Sequence, residues 1–407
     1  MQTIIYIGSN KSGTSREALS ISTTMGYYTV LLTNRKEFIK QRKEFQEVHC
    51  MVYVEDLMDK EIILTIVREL EKDHKQICAV ISFIDPFVSL AARISAELGL
   101  YQMSTDALAI MEEKTRFREQ LKTLPVSPRF TVFHGEQSIL RCVEEYQDYL
   151  PLILKSPVSN GSKDVLLVET TLEFKKGLEY LTKKFPAFPI LIEEYLIGNQ
   201  YLIEVIVKDE IISLVAIIEQ EVDTGERFII TGYSFPSALE NEAFEALHLA
   251  VTSIIQTLGL VNGTCHLEMR LIKGEWKLIE INPRMSGGAM NKIIQEGTGI
   301  NLVKENLKLF LGEELNLEKT KRNYVFAKFL TINTRGRLIK VVGKNKAADY
   351  KGVKEVFVKP RKGAILTKPY SLGDRYAYVI ASADTPEQAK EIALTASKEI
   401  KFYLEPL

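Results

Sequence analysis

Cysteine is scarce in this sequence, and none of it is patterned. Four cysteines stand among 407 residues, at Cys50, Cys78, Cys142 and Cys265, with no CxxC pair. That excludes a disulfide framework and a thiolate zinc site, and it fits reduced thiols in a cytoplasmic protein. Histidine is as thin: His49, His74, His134, His248 and His266 show no HExxH or comparable metal spacing. No apolar run approaches the roughly 18 residues that a membrane helix needs, so no membrane partner is expected. Residues 1–8 form a short apolar run without a basic leader, so no secretory signal is expected. An excess of charge is missing too. The 52 Lys and Arg face 53 Asp and Glu, for a net charge of −1, which provides no global field to grip nucleic acid. With 46% hydrophobic and 26% charged residues the chain falls outside the disordered class. At roughly 150 residues per domain, the length suggests two or three domains.

The first hundred residues alternate strand and helix. Strands are expected at 3–7, 28–33 and 77–82, and helices at 15–25, 59–70 and 87–98, an order that argues for a parallel sheet covered by helices. Ser104 or Thr105 then caps a charged helix running through Lys114 to about Leu121. A loop with Pro125 and Pro128 follows as a hinge. The middle third reads as antiparallel strands at 152–155, 165–168, 190–196, 201–207, 211–218 and 228–233, with helices at 172–184 and 242–258. A charged stretch, 313–322, reads as a linker. Beyond it come strands at 325–332, 338–342, 353–358 and 376–382. A last helix has Thr385 as N-cap and Pro386 at its first position.

The most informative segment is 263–288, GTCHLEMRLIKGEWKLIEINPRMSGG. A hairpin with a three-residue loop, Lys273-Gly274-Glu275, puts Leu267, Met269, Leu271, Ile279 and Ile281 on one face. A two-residue loop would mix the faces. In the three-residue register Glu268 lies directly opposite Glu280, and like charges paired across strands are destabilising. A hard divalent cation between the carboxylates resolves the conflict, with Asn282 as a third oxygen donor. A solvated face neutralised by Arg270 is the alternative. Arg284 follows Pro283 beyond the strand end, where a guanidinium can clamp a carboxylate or a developing oxyanion. Ser286, Gly287 and Gly288 leave backbone N–H groups accessible to an anion.

Two further segments carry weaker signals. Lys155 ends a strand and is followed by the small residues Ser159, Asn160, Gly161 and Ser162, which can fold N–H groups over phosphates, or simply turn the chain. The run Glu193-Glu194-Tyr195-Leu196-Ile197-Gly198-Asn199-Gln200 is an acidic strand end entering a bend. Its backbone can read an adenine edge, or its acids can merely face water.

In this order and spacing the segments resemble the ATP-grasp superfamily over residues 1–310. The resemblance implies a Rossmann-like parallel α/β domain (1–103), a two-lobed ATP-grasp core with antiparallel sheets (104–315, lid lobe about 125–195), and a small C-terminal α+β domain (316–407). It further implies that Lys114 and Lys155 contact ATP phosphates and that 159–162 close over them. Glu193, Glu194 and Leu196 resemble the adenine hinge, and Glu268, Glu280 and Asn282 match the Mg²⁺ ligands, with Mn²⁺ as a substitute. Gln200 stands where the family often has a ribose-binding Glu, Asp164 replaces a common glycine, and Ser156 replaces the usual proline. After His266-x-Glu268, an arginine followed by a Gly pair looks more like L-amino-acid ligases than biotin carboxylases. The implied reaction is ADP-forming carboxylate–amine ligation through an acylphosphate. Lys155 and Arg284 would serve catalysis, and His266, Arg270, Arg284, Ser286, Gly287 and Gly288 would bind substrate. Small-molecule amino acids are the expected partners, and a homodimer is compatible with the resemblance. Another ATP-grasp enzyme, a carboxylase or purine-pathway ligase, and a non-catalytic nucleotide-binding regulator remain as alternatives.

Overall fold

The structure, a computed structural model, describes residues 1–407 apart from 157, 159, 160, 162, 224, 226 and 227. Its N-terminal segment builds as the alternating pattern predicts. The strands Cys50–Tyr53, Tyr28–Thr33, Gln2–Ile7 and Gln76–Ile81 pair in that order, all parallel. The apolar runs of Gln2–Ile7, Tyr28–Thr33 and Gln76–Ile81 are buried on both faces, as a parallel sheet requires. Ile4, Tyr6 and Leu31 pack with Ala18 and Leu19 of the helix Thr14–Thr24. Ile5, Ile7, Val30 and Leu32 pack with Ile63, Leu64 and Val67 of the helix Lys60–Lys72. The edge strand Cys50–Tyr53 lies outside the sequence expectation, because its short, partly exposed run carries little periodic signal.

The single helix expected through Lys114 is two, Thr105–Glu112 and Lys114–Leu121, broken at Glu113, whose backbone is extended (φ −116°, ψ 110°). The flanking side chains are committed elsewhere. Glu112 accepts the backbone N–H groups of Val88 and Ser89 at 2.9 and 3.1 Å, at the start of the helix Val88–Glu97. Ser104 does not cap with its side chain: its Oγ accepts the N–H groups of Val261 and Asn262, each at 2.9 Å.

Residues 130–194 contribute a four-stranded antiparallel sheet in the order Phe130–Phe133, Ile190–Glu194, Leu152–Lys155, Val165–Val168. The helices Ile139–Tyr146 and Thr171–Lys184 contribute Cys142, Val143, Phe174 and Leu178 to its core. An eight-stranded antiparallel sheet carries the hairpin, and a separate three-stranded antiparallel sheet pairs Ile365–Leu366, Gly336–Val342 and Lys401–Pro406 in that order. The order of the eight-stranded sheet is Glu275–Asn282, Gly263–Ile272, Asn199–Lys208, Ile211–Asp223, Ile229–Phe235, Tyr324–Leu330, Ala377–Ala383, Val353–Val358. The charged stretch 313–322 is irregular chain, as expected of a linker, yet the sheet runs straight past it: Gly232 pairs with Lys328 and Phe235 with Val325. The C-terminal residues thereby extend the sheet that carries the hairpin. The last helix, Pro386–Ser397, begins as expected, with Thr385 accepting the N–H of Gln388. Among the described residues, no helix is long and apolar enough to cross a membrane.

Candidate active site

The hairpin pairs Glu268 with Glu280 and His266 with Asn282, as the side-chain parity requires. The turn is not the expected one. Its loop is two residues, Lys273 and Gly274, with φ of 50° and 86°, the doubly positive pattern of a type I′ turn. A register shift between Glu268 and Met269 absorbs the difference: Met269 pairs with Leu278, and Ile279 is the extra residue of a bulge. The apolar face is corrected accordingly. Trp276, Leu278 and Ile281 enter the core, whereas Ile279 lines the cleft. Freed from the ladder, the Ile279 carbonyl accepts Arg118 Nη2 at 2.7 Å and Lys155 Nζ at 3.5 Å.

The two opposed carboxylates have different surroundings. Burial and the charge of Glu280 raise the Glu268 carboxyl above its ordinary range. Burial acts the same way on Glu280, but Lys114 and Lys155 outweigh it and hold that carboxyl low. Lys114 Nζ lies 3.0 Å from Glu280 Oε1. Asn282 is oriented by His266. The His266 Nδ1–H donates to the Arg284 carbonyl at 2.8 Å, so Nε2 is an acceptor and takes the Asn282 Nδ2–H at 3.2 Å. That turns Asn282 Oδ1 the other way. Burial, and then the Arg284 charge, push the His266 ring down to about 4, which keeps it neutral in this role. Among the described residues no group of three or more His, Cys, Asp or Glu side chains converges. Two carboxylates and one amide oxygen are hard donors, and they fit a divalent cation that keeps waters or phosphate oxygens in its other positions.

An apolar slot opens beside this pair. Ile153, Val165, Tyr195, Leu196, Val222, Phe228, Ile230 and Ile279 line it, with Lys114, Lys155, Glu193, Glu194, Gln200, Arg270, Glu268 and Glu280 among its polar lining, and its volume is ≈ 90 Å³. A flat apolar base with a charged tail matches that pattern. Glu193 does not present its carboxylate to the slot for reading a base. Arg118 and Lys155 clamp it, the latter at 2.6 Å. Burial raises its carboxyl, but those two cations hold it below the ordinary range. Glu194 is held from outside by Arg129, at 2.9 Å to the backbone N–H and 3.1 Å to Nε.

Gln200 and Arg270 belong to one buried relay. Arg270 donates to the Leu196 carbonyl and, through Nε and Nη2, to Gln200 Oε1 at 3.2 and 3.1 Å. Gln200 Nε2 donates to Gln220 Oε1 at 2.8 Å. The Gln220 amide in turn lowers the Glu268 carboxyl against its burial. The Leu196 backbone is thus connected by hydrogen bonds to Gln220, whose buried Nε2 has no hydrogen-bond partner among the described residues.

A second cavity of ≈ 380 Å³ continues beyond Glu268 and Glu280, which line both, as does Gly161. Here lie His266, Asn282, Arg284, Ser286, Gly287 and Gly288. Arg284 is paired with Asp85, Nε to Oδ2 at 2.9 Å. Ser286 is fixed from below by Glu204, which accepts its backbone N–H at 3.0 Å and its hydroxyl. Burial pushes the Glu204 carboxyl up to about 7. The expected phosphate-loop residues Ser159, Asn160 and Ser162 lie outside the described residues.

Arg118, Gln220, Asp85, Glu204 and Arg375 contribute to these cavities or to the groups that line them, and the sequence reading passed over all of them. Glu204 had a visible signal, a lone acid inside the apolar strand 201–207. The others had none, because their partners are distant in the chain.

Three family models match the chain: "ATP-grasp N-terminal domain" over residues 22–100, "ATP-grasp domain" over 149–292, and "L-amino acid ligase C-terminal domain 2" over 328–405. An uncharacterized protein of Sinorhizobium fredii is 29% identical over 63% of this chain, which spans only 54% of that relative. The alanine–anticapsin ligase of Bacillus amyloliquefaciens is 26% identical over 72% of this chain and 66% of its own length. The crystal structure of an L-amino acid ligase from Bacillus licheniformis superposes with a TM-score of 0.85 at 19% identity, covering 100% of this chain and 99% of that one. The fold is therefore the ATP-grasp fold.

Proposed function

We propose that this chain, a member of the ATP-grasp superfamily, is an ADP-forming carboxylate–amine ligase that joins two amino acids into a dipeptide. One observation carries the reading: the Glu268–Glu280 pair sits at the junction of an apolar, lysine-lined slot and a second, polar cavity. A nucleotide in the first presents its terminal phosphate to a substrate in the second.

The slot takes adenine, with Leu196 and its neighbours along the edge, and Lys155 and Lys114 offset phosphate charge. Glu268, Glu280 and Asn282 would hold Mg²⁺, or Mn²⁺ in its place, which neutralises the polyphosphate when bound. The carboxylate of the first amino acid attacks the γ-phosphate, releasing ADP and leaving an acylphosphate. The amine of the second attacks the acyl carbon, an amide forms, and phosphate and a proton leave. Arg284 and the Gly287–Gly288 backbone face the carbon centre, where N–H donors stabilise the tetrahedral oxyanion. Asp85 keeps that guanidinium in place.

The test is a phosphate-release screen over amino-acid pairs with ATP and Mg²⁺, with the product weighed by mass spectrometry. ADP, phosphate and a dipeptide are expected. Release of AMP, or turnover indifferent to amino acids, would refute the reading. Glu280→Ala is expected to abolish turnover while the protein still folds, as a cooperative thermal melt would show.

A further inference from the structure

The second cavity has two arginines on its wall, and only one has a described ion pair. Arg284 is bound by the Asp85 carboxylate. Arg375, which arrives from the C-terminal segment, has only neutral hydrogen-bond partners among the described residues, while its charge acts on the Glu268 carboxyl across the cavity. Its Nε donates to the Leu372 carbonyl at 3.2 Å, and Nη1 donates to the Ile230 carbonyl at 3.2 Å and the Tyr233 hydroxyl at 3.0 Å. Among the described hydrogen bonds, none uses Nη2. The guanidinium lies over the Phe329 ring, 4.1 Å from its centroid, which fixes its plane. A partly buried cation held by neutral groups and facing a cavity calls for an anion from outside.

Its position says which anion. A third cavity of ≈ 290 Å³ opens from the second, and Ser12, Gly288, Leu372 and Arg375 line both. The third shares no lining residue with the nucleotide slot. The spaces therefore run in one line: nucleotide, acidic pair, Arg375, distal cavity. The distal cavity has Phe329, Phe357 and Tyr378 on its wall, the last two stacked at 5.2 Å, with Glu17, Glu355 and Lys359 as its charged lining. An α-amino acid at this neck has its carboxylate on Arg375, its amine toward the reacting carbon and its side chain in the aromatic space.

We propose that Arg375 is a substrate-binding residue that takes the α-carboxylate of the amine-donating amino acid, whose large side chain occupies the distal cavity. This rests on the ligase reading and names the class of its acceptor: an amino acid with a bulky side chain, rather than a simple amine or glycine.

The experiment offers L-leucine, L-methionine, L-phenylalanine and glycine as acceptors, each beside its carboxamide, to wild type, Arg375→Lys and Arg375→Met. Wild type is expected to favour the bulky free acids over their amides by roughly 10- to 100-fold in kcat/KM, the factor of one lost charge-assisted contact. Arg375→Met is expected to lose that discrimination, with its ATP KM unchanged. Arg375→Lys is expected to retain part of it. Equal use of acids and amides by the wild type overturns the assignment, even if the Met variant fails to fold. So does a preference for glycine, or a raised ATP KM in a folded Met variant. If no amino acid releases ADP from the wild type, the ligase reading itself falls, a result distinct from these.

Discussion

Asp85 accepts both Nε and Nη2 of Arg284 on one oxygen, joining the N-terminal sheet domain to the turn that follows the hairpin, 199 residues later in the chain. Both side chains are mostly buried, at 12% and 20% exposure. Asp85→Ala leaves a buried guanidinium without a counter-charge. It is expected to destabilise the protein by about 2–4 kcal/mol, read as a shift in urea midpoint at constant slope. Turnover is expected to fall beyond that loss, because Arg284 is no longer oriented.

Glu204 ties stability to pH. Its carboxyl is raised from 4.5 to about 7 by burial, so between those values the folded state binds a proton that the unfolded state lacks. That contribution is full at low pH and is lost as pH rises through about 7, a swing on the order of 3 kcal/mol. Glu204→Gln keeps acceptors for the Ser286 N–H and hydroxyl and cannot ionise. It is expected to flatten this component when unfolding is compared at pH 5, 6 and 7.5. An unchanged pH slope would show that Glu204 does not titrate there.

Arg270 makes its contacts as a fork, and lysine has one nitrogen. Arg270→Lys is expected to raise the ATP KM by about tenfold or more, by leaving Gln200 Oε1 or the Leu196 carbonyl unpaired. The acceptor KM is expected to stay, which steady-state kinetics in each substrate would check.

Lys273 sits at φ 50° in the tight turn, a conformation that asparagine tolerates better. Lys273→Asn is expected to stabilise by about 0.5–1 kcal/mol, and Gly274→Val to destabilise by at least about 1 kcal/mol. Thermal melts of both variants decide this, and activity is expected to follow the hairpin only in the second.

The opposition of Glu268 and Glu280 could be read from the sequence because strand parity is local: alternating residues near each strand end suffice. The bulge at Ile279 could not. Its reason is a carbonyl turned out to Arg118 and Lys155, side chains more than a hundred residues earlier. A loop one residue longer gave the same pairing by a different route. The break at Glu113 was hidden likewise, because the helical pattern continues across it while Glu112 bonds to Val88 and Ser89. The site's anchors were the least legible. Asp85 resembles any loop acid until Arg284 reaches it, and Arg375 resembles any surface arginine until the sheet carries it back to the hairpin.

The strand pairing of Ile229–Phe235 with Tyr324–Leu330 has a practical consequence for engineering this scaffold. Chimeras that exchange everything after the loop 311–323 between relatives would also exchange one side of a ladder, in which Gly232 faces Lys328 and Phe235 faces Val325. Gly232 has no room for a side chain, since a Cβ there would lie 2.9 Å from the Phe326 ring. Donor segments must therefore be matched to the recipient's strand, not only to its linker, before any altered selectivity can be credited to the residues they bring.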